Sequence, residues 1–257
     1  DLGWRTQTGE VVRPAALTVA LATRLQVLDS HLAIADRHRA FVHELCQLDL
    51  LQPGGGPLPS VPVVLARWWK LRVPNFYKEA AWRLTLDAFP TAARLHSGVC
   101  CVACGVPSPG FAHHFWSCPV ADAVRAEVEA QLRIKGWLLA DSRLRCDALW
   151  LGVKPHHALH RMVWDMVCLA AIHAMSIGRK AAWSVSHRLE PPDLVAVVAQ
   201  KVARAGFWSV LADFAASAVV PRRARNSLLT SQPFLAWSTV LLRGNGLRVV
   251  RLTAAGA

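Results

Sequence analysis

Residues 100–119 read CCVACGVPSPGFAHHFWSCP, and the architecture hangs on how the cysteines and histidines of this stretch are used. Four of the chain's seven Cys lie here, at 100, 101, 104 and 118. The best metal pattern is Cys101-x2-Cys104-x8-His113-x4-Cys118. Two thiolates two residues apart point at one ion from a tight turn, and Gly105 relieves that turn sterically. A His and a last Cys then close a tetrahedron, a sulfur and nitrogen set that suits Zn2+ at roughly 2.3 and 2.0 Å. Cys118 precedes Pro119 at a helix start, where the dipole favours a thiolate. Four protein ligands leave no position for water, so the expected ion is structural rather than catalytic. His114 in place of His113, and Cys100 in place of Cys101, satisfy similar spacing. Disulfides are disfavoured by the odd Cys count and by the absence of a signal-like opening, since Arg5, Glu10 and Arg13 interrupt any early apolar run. Cys46, Cys146 and Cys168 read as small buried hydrophobes.

Outward from this loop the pattern is helical. Residues 119–134 form an amphipathic helix with Pro119 in its first turn and Ala121, Val124, Val128 and Leu132 on one face. Upstream, 63–89 give two short helices split at Pro74, with Asn75 as N-cap. QPGGGPLPSVP (52–62) cannot continue a helix and marks a linker. Residues 14–51 are rich in Ala and Leu and free of internal Gly and Pro, with Pro14 at the start and Asp29 or Ser30 capping a second helix. Downstream, 155–187 are apolar on nearly every face and predict a buried helix. Residues 191–219 give another, with a kink at Gly206; PRRAR (221–225) is a basic turn, 233–243 a short helix and LRVVRL (247–252) the one strand. The expected fold is therefore mainly α: an irregular helical bundle with a small CCHC zinc-tied loop. Its parts are an N-terminal helical region (1–52), a Pro/Gly linker (53–62), a helical zinc-binding module (63–134) and a C-terminal helical domain (135–257).

Composition sets the function class. The chain has 257 residues, 53% hydrophobic and 18% charged, which supplies a core and excludes disorder over most of its length. In the C-terminal half the longest charge-free runs stop short of a membrane span; 226–242 is one, and it carries Asn, Ser, Gln and Pro. Lys plus Arg total 29 against 17 acids, giving a net charge of +12 and a pI near 10.2. Such a balance is the footprint of polyanion binding, and the predominance of Arg suits phosphate. Within 60–100, Arg67, Lys70, Arg72, Lys78, Arg83 and Arg94 face only Glu79 and Asp87, and they are the candidate nucleic-acid contacts. A second excess lies in 201–257. Eleven Trp accompany one Tyr. Most Trp belong to a core, Trp68 and Trp69 to a partly exposed edge; Trp69 or Trp116 is a candidate to stack on an unpaired base, with core packing the preferred role of Trp116.

Trp82-Arg83-Leu84, then Phe89-Pro90-Thr91-Ala92 and Arg94, stand before Cys101-Val-Ala-Cys104-Gly105; His113-His114-Phe115-Trp116-Ser117-Cys118-Pro119 follows. In this order residues 64–134 resemble the zinc-binding region downstream of the reverse transcriptase in non-LTR (LINE-type) retrotransposons. In that family a helical stretch with a Trp and a Pro-Thr-x-x-Arg type segment precedes Cys-x2-Cys. A block of His, mostly apolar filling and Cys-Pro comes next, then an amphipathic helix. His113 takes the family's His position, which favours it over His114. The middle loop is longer than in the short retroviral knuckle. The resemblance implies a segment C-terminal to a reverse transcriptase that helps to hold template RNA or target DNA. It brings no polymerase: Tyr-x-Asp-Asp is missing, and Tyr77 lies in Phe-Tyr-Lys. The opening Asp1, in place of Met, suggests a processed product or a segment of a longer protein, and the resemblance favours the segment.

Some members carry a nuclease after the zinc motif, and Pro192-Asp193-Leu194-Val195 echoes its first half. Two-metal hydrolysis needs clustered carboxylates and a Lys, whereas the window before Lys201 lacks the acid and only Glu190 and Asp213 are near. His156 and His160 share a helical face without the Glu of a zinc protease. No phosphate-binding Gly loop or nucleophile elbow occurs. The sequence thus predicts a zinc-stabilised, non-catalytic, nucleic-acid-binding segment with RNA or DNA as partner, in a reducing intracellular compartment, nuclear rather than organellar. The alternatives are a structural protein of a ribonucleoprotein and a degenerate PD-(D/E)xK-like nuclease.

Overall fold

The computed structural model of this chain describes residues 4–5, 11–12, 19–49, 58–71, 73–159, 161–188 and 191–216. Two two-residue strands, β1 (Trp4–Arg5) and β2 (Val11–Val12), pair antiparallel with Trp4 opposite Val12. The other regular elements among the described residues are helical. They are α1 (Val19–Asp49), α2 (Val61–Lys70), α3 (Asn75–Thr85), a π-turn (His113–Ser117), α4 (Pro119–Ile134), α5 (Cys146–Trp150), α6 (Arg161–Ser186) and α7 (Pro192–Ala216). The protein is mainly α, as its sequence predicts.

Local chemistry accounts for the breaks. α2 and α3 are separated by Leu71, in extended conformation as the C-cap of α2, and by Pro74, which has no N–H and disfavours helix in the residue before it. Pro74 is the N-cap of α3, so Asn75 is the first helical residue and not the cap; its Oδ1 accepts from Lys78 Nζ. α1 runs through Asp29 and Ser30 as one helix, because no Gly or Pro interrupts it. α4 begins on Pro119 with Asp122 in its first turn, and Ala121, Val124, Val128 and Leu132 are all fully buried. In α6 the run from Val163 to Ile172 is buried without interruption. α7 continues through Gly206, and its Asp193–Phe214 stretch is long and apolar enough to cross a membrane by length and composition. In the fold that helix packs on α4 and α6, with Val195, Ala199, Ala203 and Phe207 inside.

One contiguous core runs from Phe41 of α1 to Phe214 of α7, with Trp68, Trp150 and Trp164 fully buried. Trp68 is therefore a core residue, not an edge; its indole donates to Asp165 at 3.0 Å. Cys146 and Cys168 are buried as expected, and Cys168 Sγ donates to the Ala148 carbonyl at 3.3 Å. Cys46 is exposed, on the outer side of α1, which corrects its reading as a buried hydrophobe. Three helices meet at Gly178: a Cβ there would lie 2.6 Å from Val120 Cγ1 and 2.7 Å from Ala203 Cβ. The predicted turn at 221–225, helix at 233–243 and strand at 247–252 lie outside the described residues, as do Pro14 and residues 53–57 of the 53–62 linker.

Candidate metal centre

The segment from Cys101 to Cys118 folds back on itself through backbone bonds. Cys101 N donates to Val106 O at 2.8 Å, and Gly105 N to Cys101 O at 2.7 Å, which closes the turn carrying the first two thiols. Gly105 sits at φ +75°, a left-handed conformation that glycine adopts without strain. At the other end, Cys118 N donates to His113 O at 2.7 Å, an i→i+5 bond that closes the π-turn. In an ordinary α-helix side chains five residues apart diverge by roughly 140°. The wider turn brings His113 and Cys118 back to one side. Cys118 then caps α4, accepting from Asp122 N at 2.9 Å.

These two pieces bring Cys101, Cys104, His113 and Cys118 together, with all their ligand atoms within 4.8 Å of one another. Cys104 Sγ lies 3.3 Å from His113 Nε2, and Cys101 Sγ lies 4.0 Å from Cys118 Sγ. This four-donor cluster can hold a metal ion, and it contains His113 and Cys101 rather than His114 and Cys100. Cys101 and Cys118 are buried, whereas Cys104 is exposed. The hydrogen bond from Cys118 draws the Cys101 thiol well below its usual range, and the same contact, with burial, pushes Cys118 well above. Burial pushes Cys104 up and lowers His114, whose hydrogen bond to Cys101 acts in the opposite sense.

Two arginines that the sequence did not single out hold the loop from outside. Arg125 of α4 donates to Trp116 O at 3.0 Å and lies 4.4 Å from the centre of that indole, bracing the π-turn. Arg179 of α6 donates to Pro90 O and sits over Phe89, which packs 4.6 Å from Phe115. The Arg125 contact is nine residues long in sequence, that of Arg179 is 89, and no spacing rule links either pair.

The six predicted cations divide. Arg67 makes two bonds through Nε to the carboxylate of buried Asp165, at 3.0 and 2.8 Å, and joins α2 to α6. Lys78 is buried and donates to Trp69 O at 3.1 Å; burial lowers its pKa. Lys70 and Arg94 are exposed, and Arg83 is exposed beside Glu79, its i,i+4 partner at 2.6 Å. Arg72 lies outside the described residues. Trp69 is 45% exposed, and Trp116 is half-buried against Arg125 and Trp150. Asp193 and Asp213 stand at opposite ends of α7, roughly 30 Å apart at helical rise, too far to share an ion. Asp213 instead accepts from Tyr77 at 2.5 Å. Glu190 and His160 lie outside the described residues, and the His156 ring stacks on Trp137. Comparison of the chain with protein-family models, with curated proteins and with solved structures returned no match.

Proposed function

We propose that this chain is a zinc-stabilised nucleic-acid-binding segment of a non-LTR-retrotransposon-like reverse transcriptase protein, without catalysis of its own. The observation that carries the reading is the closure of Cys101, Cys104, His113 and Cys118 within 4.8 Å. Three thiolates and one imidazole in a four-donor set suit Zn2+ over harder ions. The ion would tie the turn after α3 to the N-terminus of α4 and so fix the surface around Lys70, Arg83 and Arg94. RNA or DNA is the partner that a net charge of +12 calls for, with the rest of a larger polyprotein beside it. Thiolate ligands suit a reducing intracellular compartment, and a nucleic-acid role favours the nucleus over an organelle.

Elemental analysis of the purified chain is the test. One zinc per chain is expected, lost with partial unfolding in chelator. Cys104→Ser is the informative variant, because Cys104 is exposed and its replacement opens no cavity. It should lose the zinc and unfold at least residues 95–125; unchanged zinc content and melting temperature in that variant remove the site. Binding to nucleic acid should weaken with a log–log salt slope of roughly −0.7 to −0.9 per contacted phosphate.

A structural role in a ribonucleoprotein is the second reading. It is favoured by Arg67 and Lys78, which serve the fold instead of a ligand. Salt-insensitive association with protein, and none with naked RNA or DNA, would select it.

A further inference from the structure

Beside the knuckle lies a groove of about 1100 Å³, walled by α3, the second half of α6 and the segment 95–103. That volume exceeds the usual range for a compact small-molecule site, roughly 300–1,000 Å³, and suits an extended chain. Its lining includes Phe76 and Trp183, 53% and 50% exposed, with the His173 ring 5.8 Å from Phe76. Large aromatics left in water along one groove suit a ligand with flat faces spaced along it. Arg83, Arg179 and Lys180 also line the groove, against Glu79 as the one carboxylate among its described residues. Since Arg83 already pairs with Glu79, Arg179 and Lys180 supply the surplus positive charge. Residues 217–257 of the chain itself are a poor occupant, because they carry six Arg and no acid and would meet like charge.

We infer that this groove binds a short single-stranded stretch of nucleic acid, its bases stacked on Trp183 and Phe76 and its phosphates on Lys180 and Arg179. The inference deepens the nucleic-acid reading above and rests on it. A concave site with aromatic faces selects single strands, because in a duplex those base faces are covered by their neighbours. The knuckle forms one wall through Cys101, Ala103 and Cys118, so the metal would set the groove's width.

The test uses the full chain and a labelled uridine oligomer about twelve nucleotides long, within the usual site size for single-strand binding. Three point variants are compared at low salt: Trp183→Ala, Lys180→Glu and, as a charge-matched control on exposed α7 surface outside the groove, Lys201→Glu. Trp183→Ala should weaken binding roughly tenfold, and Trp183→Phe should restore most of it. Lys180→Glu should weaken binding and flatten the salt slope, with Lys201→Glu near wild type. Circular dichroism confirms that each variant is folded. If wild type binds no nucleic acid at all, the function reading fails and takes the groove with it. If wild type binds but Trp183→Ala does not differ, or a duplex of the same length binds equally well, the groove assignment alone is overturned. Saturable binding of an acidic amphipathic peptide, lost in Trp183→Ala and without any binding of the oligomer, would give the groove to a protein instead.

Discussion

Tyr77 is the single tyrosine of the chain, so its phenolate absorbance reports one site without interference. Burial, helped by the hydrogen bond to Asp213 and by that carboxylate's charge, pushes its pKa up to about 12 from the usual 10.0. The folded state therefore keeps its proton where the unfolded chain gives it up. The stability this contributes is complete below pH 10 and is lost as pH rises from there through about 12. A spectrophotometric titration should place the native midpoint near 12, and Asp213→Asn should move it down. At Asp165 the expected effect is on stability. Asp165→Ala removes the partner of Arg67 and of the Trp68 indole, which should cost about 3–5 kcal/mol in a denaturant melt. Neither partnership was legible in the sequence. Arg67 and Lys78 read as surface cations there because a basic residue announces its charge and not what stands opposite. For Arg67 that is a carboxylate 98 residues away. The clustering of Cys101, Cys104, His113 and Cys118 was legible, because it is written in short spacings that backbone turns close locally.

Helices followed the same division. α4 was readable to the residue, since Pro119 starts it and a clean apolar face runs along it. α6 was readable as a buried helix from its unbroken apolar run. α5 is five residues long, too short to display a period, and the π-turn differs from an α-helix by one residue per hydrogen bond, which composition does not register. The capping reading at Ser30 failed because a side-chain cap acts only where the helix already ends, and Ala- and Leu-rich sequence on both sides keeps α1 going. Gly178 offers the sharpest test of how these elements meet. Alanine is the better helix former by about 1 kcal/mol, so on propensity alone Gly178→Ala should stabilise α6. The added methyl would lie 2.6 Å from Val120 Cγ1, 2.7 Å from Ala203 Cβ and 3.2 Å from the Ala199 carbonyl oxygen. Two of those atoms belong to α7, one of them backbone, and cannot swing away. We expect a net loss of about 1–2 kcal/mol, seen as a lower melting temperature. An unchanged or raised melting temperature would mean that α7 yields at this crossing.

For the molecule as a whole, the knuckle is not an appendage. Phe89, Phe115 and Cys118 belong to the same contiguous core as the inner faces of α4, α6 and α7. The partial unfolding in chelator should therefore reach the neighbouring helices, with far-ultraviolet dichroism and Trp fluorescence moving together, in place of a change confined to the loop. All four donors lie between residues 101 and 118, whereas α6, which packs against the π-turn, begins at Arg161, and α7 at Pro192. On a translating ribosome the donor set is complete before its cover has been made. An ion held there would thus find an open nascent loop, and in the finished protein its Cys101 and Cys118 side would be covered while Cys104 stays exposed. The direction of synthesis would separate loading from retention on the covered side, while the exposed Cys104 leaves a face through which a refolded chain could still take up the ion.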